Sequence, residues 1–165
     1  MISFIVGTRN RPEELKRFID HLWEQTSSDY EIVVADEGDN AWVRGYVSKY
    51  YWQPWAEDWH YSAKNQAAHL ASGDYLAFPQ DDAVYHVDFV RLMQRGVMSI
   101  CGWVGAGGSK EPNPTICEVD VGGFTIRKKE FTETLFKPGA SADGALVEIF
   151  LGRVVLVPEV LYEKR

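Results

Sequence analysis

At 165 residues the chain is long enough for one domain with a real core and too short for two comfortable ones. Hydrophobic residues at 45%, charged at 25% and aromatics at 13% exclude a disordered chain. The formal net charge of −7 argues against a broad nucleic-acid footprint, because phosphate backbones are held by clustered Lys and Arg.

The opening MISFIVGTRN carries an apolar run too short for a signal segment or a membrane span, and it reads as a first strand over residues 2–7. RPEELKRFIDHLWEQT follows as an amphipathic helix with Leu15, Phe18, Ile19, Leu22 and Trp23 on one stripe. Asn10, with Pro12 in the first turn and Glu13 three positions later, marks its start. EIVVAD (31–36) is a second strand. SAKNQAAHLASG is a helix opening on Ser62 and stopping at Gly73 through a left-handed turn. YLAFP (75–79) is a third strand and HVDFVRLMQRGV a further helix. GGFTIR (122–127), the helix ADGALVEIFLG ending in Gly152, and the strand RVVLVP (153–158) complete the series. Nearly continuous apolar runs fit strands buried on both faces. Their alternation with helices predicts a single α/β domain, a Rossmann-like mixed, mostly parallel sheet flanked by helices, with its ligand site at the carboxyl ends of the strands.

The residues just past each apolar run are therefore the candidates: Thr8, Arg9 and Asn10, then Asp36 and Glu37, then Gln80, Asp81 and Asp82. Adjacent carboxylates on a strand-to-loop bend point in different directions, so one can hold a cation while the other accepts hydrogen bonds from hydroxyls. Oxygen ligands without clustered Cys or His favour Mg²⁺ or Mn²⁺ over zinc. Such a cation is useful where a diphosphate is held and expelled. The plainer alternative is an acidic turn that caps the next helix. Cys101 and Cys117 show no metal-ligand spacing, and reduced thiols in a cytoplasmic setting are expected.

FIVGTRNRPEELKRFIDHLWEQTSSDYEIVVADEGDN, SAKNQAAHLASGDYLAFPQDDAVY, VGGFTIRKKEF and ADGALVEIFLGRVVLVPE together resemble the family-2 type inverting glycosyltransferases with the GT-A fold, in the same block order. The resemblance implies a nucleotide-diphosphate-sugar donor, commonly a UDP-sugar, and Mn²⁺ or Mg²⁺. By position, Thr8 and Asn10 line the nucleotide pocket, Asp36 accepts hydrogen bonds from the base, and Arg9 reaches a phosphate. Lys64 and Asn65 face the donor. QDDA stands where the family carries its DXD motif, making Asp81 the ribose or sugar contact and Asp82 the metal ligand. Asp143 falls where the family places its base, although Ala142 stands where a Glu is often found. As a residue of the chain alone, Asp143 reads equally as a helix-start carboxylate, a role Ser141 could share. The final strand lacks the family's His, whose place in the metal shell either Glu163, as an oxygen ligand, or a water would take. Gly122 and Gly123 allow close backbone approach beside the transferred sugar.

Residues 42 to 61 hold Trp42, Tyr46, Tyr50, Tyr51, Trp52, Trp55, Trp59 and Tyr61, suited to a ligand platform, a core or a homodimer interface. His21, His60, His69 and His86 have no mutual metal spacing and read as ordinary histidines. The acceptor implied is a hydroxyl on a glycan, lipid-linked sugar, protein or modified base. Relatives often continue into acceptor-binding or membrane-associated segments, so either a minimal acceptor site or one supplied by a partner, even at a membrane surface, is expected. Two rivals stand beside this reading. One is a nucleotide-sugar-binding subunit without turnover. The other is a nucleotidyltransferase, which would want a glycine-rich phosphate loop where GTRNRP has only Gly7.

Overall fold

The computed structural model describes residues 1–105, 108–114, 119–137 and 142–164. β1 (Ile2–Thr8), β2 (Tyr30–Asp36), β3 (Lys49–Trp52) and β4 (Tyr75–Ala77) run parallel in the order β3-β2-β1-β4. The sheet continues from β4 into β8 (Phe124–Arg127), then β6 (Met98–Gly105), β9 (Val154–Lys164) and β5 (Ala83–Tyr85). β8 is antiparallel to both neighbours and β9 is parallel to β6. β5 lies antiparallel on the far side of β9, and β7 (Gly108–Lys110) pairs with β6. This is a mixed sheet, parallel among its first four strands.

The helices sort by face. α1 (Pro12–Leu22) and α3 (Phe89–Leu92) cover one side, where Leu15, Phe18, Ile19 and Phe89 meet Ile2, Phe4 and Val6 of β1. α2 (Tyr61–Leu70), α4 (Lys128–Thr134) and α5 (Ala142–Ile149) cover the other, where Ala63, Ala67, Phe131 and Leu146 meet Ile5, Val33 and Leu76. The alternation along β1 explains its unbroken apolar sequence, since both faces are buried.

Several local expectations change. Asn10 does not cap α1: its backbone is left-handed (φ 52), the N-cap position is Arg11, and the Asn10 side-chain oxygen accepts instead from Asp39 N at 3.1 Å. α2 begins at Tyr61, and the carboxylate of Asp58 accepts from Ser62 N at 2.8 Å. Gly73 is not a left-handed stop. It is required by crowding, since a Cβ there would lie 2.5 Å from Ser3 Oγ. The helix expected over HVDFVRLMQRGV shrinks to Phe89–Leu92, with Gly96 turning at φ +59 into β6. β3, β5, β6 and β7 were not legible as strands.

The QDD stretch does more than end a strand. Gly7 forms a parallel bridge to Gln80, so the chain continues alongside β1 past Ala77, then crosses to β5 at the opposite side of β9. Asp81 and Asp82 occupy that crossing.

Phe78, just before it, is fully buried, with its ring centroid 4.5 Å from Phe131, 4.8 Å from Phe136 and 6.0 Å from Phe124. Phe78→Ala should lower unfolding free energy by about 3–5 kcal/mol in urea titrations, the range for emptying an aromatic core site. A loss under about 1 kcal/mol would mean that this cluster does not anchor the crossing.

Candidate active site

At the carboxyl edge of β1 the two acidic residues are held from α1's side. Thr8, fully buried, donates its hydroxyl to Asp81 Oδ2 at 2.7 Å. Arg11 Nη1 reaches Asp81 Oδ1 at 2.7 Å and stands 3.7 Å from Asp82 Oδ2. Arg11, not Arg9, is therefore the cation of this loop that meets the carboxylates. Arg9 lies over the ring of Trp55, 4.4 Å from its centroid. Burial raises the pKa of Asp81, opposed by the Thr8 hydrogen bond and the Arg11 charge. Asp82 differs: its Oδ1 is buried with no hydrogen-bond partner among the described residues. Beside the pair runs a groove of about 490 Å³ lined by Arg11, Glu14, Arg17, Phe18, His21 and Asp82.

At the edge of β2, Asp36 is fully buried and its two oxygens accept four hydrogen bonds. Gly38 N (2.9 Å) and Asn40 Nδ2 (3.0 Å) meet Oδ1; Asn40 N (2.8 Å) and Tyr50 OH (2.7 Å) meet Oδ2. The position expected to face the base thus organises its own loop. Its neighbour Glu37 has a fully buried side chain paired with His60 Nδ1 at 2.5 Å. His60, read in the sequence as an ordinary surface or core histidine, packs against Gly7, where a Cβ would lie 2.9 Å from its own.

A second acidic group gathers where β9, the 121–123 turn and α5 meet. Asp120, absent from the sequence candidates, accepts from Gly122 N at 3.0 Å, Tyr162 OH at 2.8 Å and Lys164 Nζ at 2.9 Å. Gly122 makes this possible, because a Cβ there would lie 2.5 Å from the Tyr162 ring. The close approach expected of Gly122 is thus made to a side chain of β9. Asp-x-Gly was the local signal for Asp120; partners more than forty positions away were not. Asp143 lies in the first turn of α5 and accepts from Gly144 N at 2.9 Å. Burial raises its pKa, and the like charge of Asp120 adds to the rise, against the opposing pull of the Gly144 N–H and Lys164. Ser141 and Cys117 lie outside the described residues.

Lys64 is fully buried between the two acidic groups, donating to Phe78 O at 3.2 Å. Desolvation lowers its pKa to about 8, against the pull of Asp120, Asp143 and Asp81. Asn65 is directed elsewhere: its amide exchanges two hydrogen bonds, both 2.9 Å, with the backbone of Phe136. Glu163 is also displaced from the expected role. It alternates with Tyr162 and Lys164, which both reach Asp120, so strand periodicity sends its side chain to the opposite face. There it lines a separate groove with His21 and Val84. No group of three His, Cys, Asp or Glu side chains among the described residues could hold a metal ion.

The chain belongs to the glycosyl transferase family 2, whose model matches residues 3–142. Among curated proteins it is similar to Protein CgeD of Bacillus subtilis (strain 168), 28% identical over 106 residues, covering 56% of this chain and 25% of that protein. Its fold is similar to TarS 1–349 of S. aureus, solved also with UDP and with UDP-GlcNAc, at TM-score 0.76 and 15% identity over 99% of this chain and 60% of that one. It is similar too to the mannosyltransferase PcManGT from Pyrobaculum calidifontis in complex with GDP-Man and Mn²⁺, at TM-score 0.75 and 15% identity over 99% of this chain and 56% of that one. The chain therefore spans a quarter of that curated relative and under two thirds of these structures.

Lys64 gives a sign-definite pH effect. Its folded pKa of about 8 lies below the ordinary 10.5, so between these values the unfolded chain binds more protons and folded stability gains as pH rises. The stability of the native chain relative to Lys64→Met should increase from about pH 7 to about pH 10 in parallel urea titrations. A flat difference would show that Lys64 titrates normally.

Proposed function

We propose that this domain is a metal-dependent inverting glycosyltransferase that moves a sugar from a UDP-sugar to a hydroxyl acceptor. The observation that carries the reading is Asp82 Oδ1, a buried carboxylate oxygen without a partner among the described residues, beside an Asp81 whose two oxygens are both engaged. A buried unpaired oxygen is costly unless a ligand completes it. Mg²⁺ and Mn²⁺ suit it, because hard cations bind through one or two carboxylates while substrate phosphates and water supply the remaining oxygens. Asp82 would be the protein ligand, and the cation would neutralise charge on the diphosphate.

Asp143 is the base. Its carboxylate takes the proton of the acceptor hydroxyl as that oxygen attacks the anomeric carbon, and the bond from carbon to diphosphate oxygen breaks with its electron pair leaving on the diphosphate. Attack opposite the leaving group inverts the configuration. A pKa raised by burial suits the task, since a base works best near the operating pH. Lys64, Arg11 and Lys164 surround the path with positive charge. Thr8 and Asn10 shape the loop that receives the nucleotide.

Calorimetric titration of UDP should give binding that strengthens with Mn²⁺ in the native chain and loses that dependence in Asp82→Ala. Equal binding with and without metal in both proteins would remove the cation from the reading. With an acceptor found, Asp143→Asn should lower kcat about 10²–10⁴-fold while UDP affinity is unchanged. The acid limb of the native rate profile should lie above the ordinary carboxylate range, with activity rising as pH rises, because the base must lose its proton. Donor binding without product across glycan, lipid-linked and protein acceptors would favour a binding subunit.

A further inference from the structure

Backbone strain concentrates ahead of α2. Glu57, Trp59 and His60 all adopt left-handed conformations, at φ 56, 58 and 66, which bulky side chains avoid and which persist where surrounding contacts demand them. The contacts that fix His60 are specific. Gly7 leaves room for its Cβ, Lys64 N donates to its carbonyl at 2.8 Å, and the Trp55 ring meets the imidazole edge-on with centroids 5.3 Å apart. Nδ1 faces Glu37 Oε2, and the other Glu37 oxygen accepts from Gln53 Nε2 at 2.9 Å. The second ring nitrogen, Nε2, makes no hydrogen bond among the described residues, and the side chain is 18% exposed.

This arrangement sets the tautomer. A carboxylate only accepts, so Nδ1 carries the proton and a neutral ring presents a lone pair at Nε2. Burial and the nearby Lys64 charge disfavour the imidazolium, against the pull of Glu37. At the same sheet edge the Asp36 carboxylate is saturated by four donors from its own loop. Resting on the nucleotide-sugar reading above, we propose that His60 Nε2 is the acceptor that reads the donor's base, taking the imide N–H of uracil and so selecting uridine over cytidine nucleotides. Cytosine presents a ring-nitrogen lone pair at the corresponding position, and two acceptors cannot bond. Glu37 is a positioning residue that holds the ring in the accepting tautomer.

The test is calorimetric titration of the full chain with UDP, CDP and 2′-deoxy-UDP, on the native protein, His60→Gly and Glu37→Gln, each checked by thermal melting. Glycine suits the left-handed backbone at position 60, so that variant should stay folded. The native chain should favour UDP over CDP at least about tenfold, and His60→Gly should lose about that factor for UDP and bring the ratio near one. Glu37→Gln goes further: Gln53 already donates to the first oxygen, so the new amide turns its NH₂ toward His60 and reverses the tautomer. Nε2 then donates, and preference should shift toward CDP. A native ratio near one, or a ratio unchanged in His60→Gly, overturns the proposal while leaving nucleotide binding intact. Loss of discrimination against 2′-deoxy-UDP instead, with the UDP to CDP ratio preserved, would assign Nε2 to the ribose and overturn it equally. Native protein that binds none of the three removes the nucleotide reading itself, and the inference with it.

Discussion

The site depends on the cost of burying carboxylates. Asp36, Glu37, Asp81 and Asp120 are all buried near the ends of the sheet strands, and an ionised carboxylate removed from water is tolerated only where hydrogen-bond donors or opposite charges replace its hydration. Each therefore gathers partners, and the partners come from different elements. Asp81 ties the end of β1 and the start of α1 to the crossing after β4. Asp36 ties β2 to β3. Glu37 ties β2 to the foot of α2, and Asp120 ties the 121–123 turn to the last strand.

Against this background, the proposed cation falls to Asp82 rather than to Asn40 Oδ1, Asp58 Oδ1 or Glu130 Oε2, which also lack a partner among the described residues, because Asp82 lies beside Asp81 at the crossing. Asp82 Oδ1 has no partner among the described residues, although both oxygens of its neighbour Asp81 are engaged. His60 turns one nitrogen to Glu37 and leaves the other open. The Asp143 carboxylate accepts from the Gly144 amide, and burial with Asp120 close by holds its proton affinity high. On the proposed reading, Asp82 Oδ1, His60 Nε2 and the Asp143 carboxylate receive a cation, a nucleotide base and an acceptor hydroxyl.

Lys64 links these groups. Its buried ammonium sits between Asp81, in the crossing after β4, and Asp120 and Asp143, and its aliphatic chain fills the space beside Gly7. A compact cation with a proton affinity lowered by desolvation responds to any charge brought near it. Removing it would leave Asp81, Asp120 and Asp143 without their shared counter-charge.

The sequence by itself determined the strongly periodic elements: β1, β2, α1, α2 and α5 follow from continuous apolar runs and amphipathic stripes, since burial on both faces or on one stripe leaves a local imprint. It also placed Thr8, Asp36, Asp81, Asp82 and Asp143 at strand ends or a helix start, because position after an apolar run is a local property. Tertiary structure alone decided which side chains meet. Arg11 rather than Arg9 reaches the acids because the Asn10 backbone turns left-handed. Glu163 faces away because Tyr162 and Lys164 share the other face of β9. β6 could not be read from MSICGWVG, whose glycines and mixed polarity carry no period; it is a strand because β8 and β9 flank it. Asp120 and His60 acquire their roles from partners 23 to 44 positions away, and hydrogen bonds across such separations leave no pattern in a single sequence.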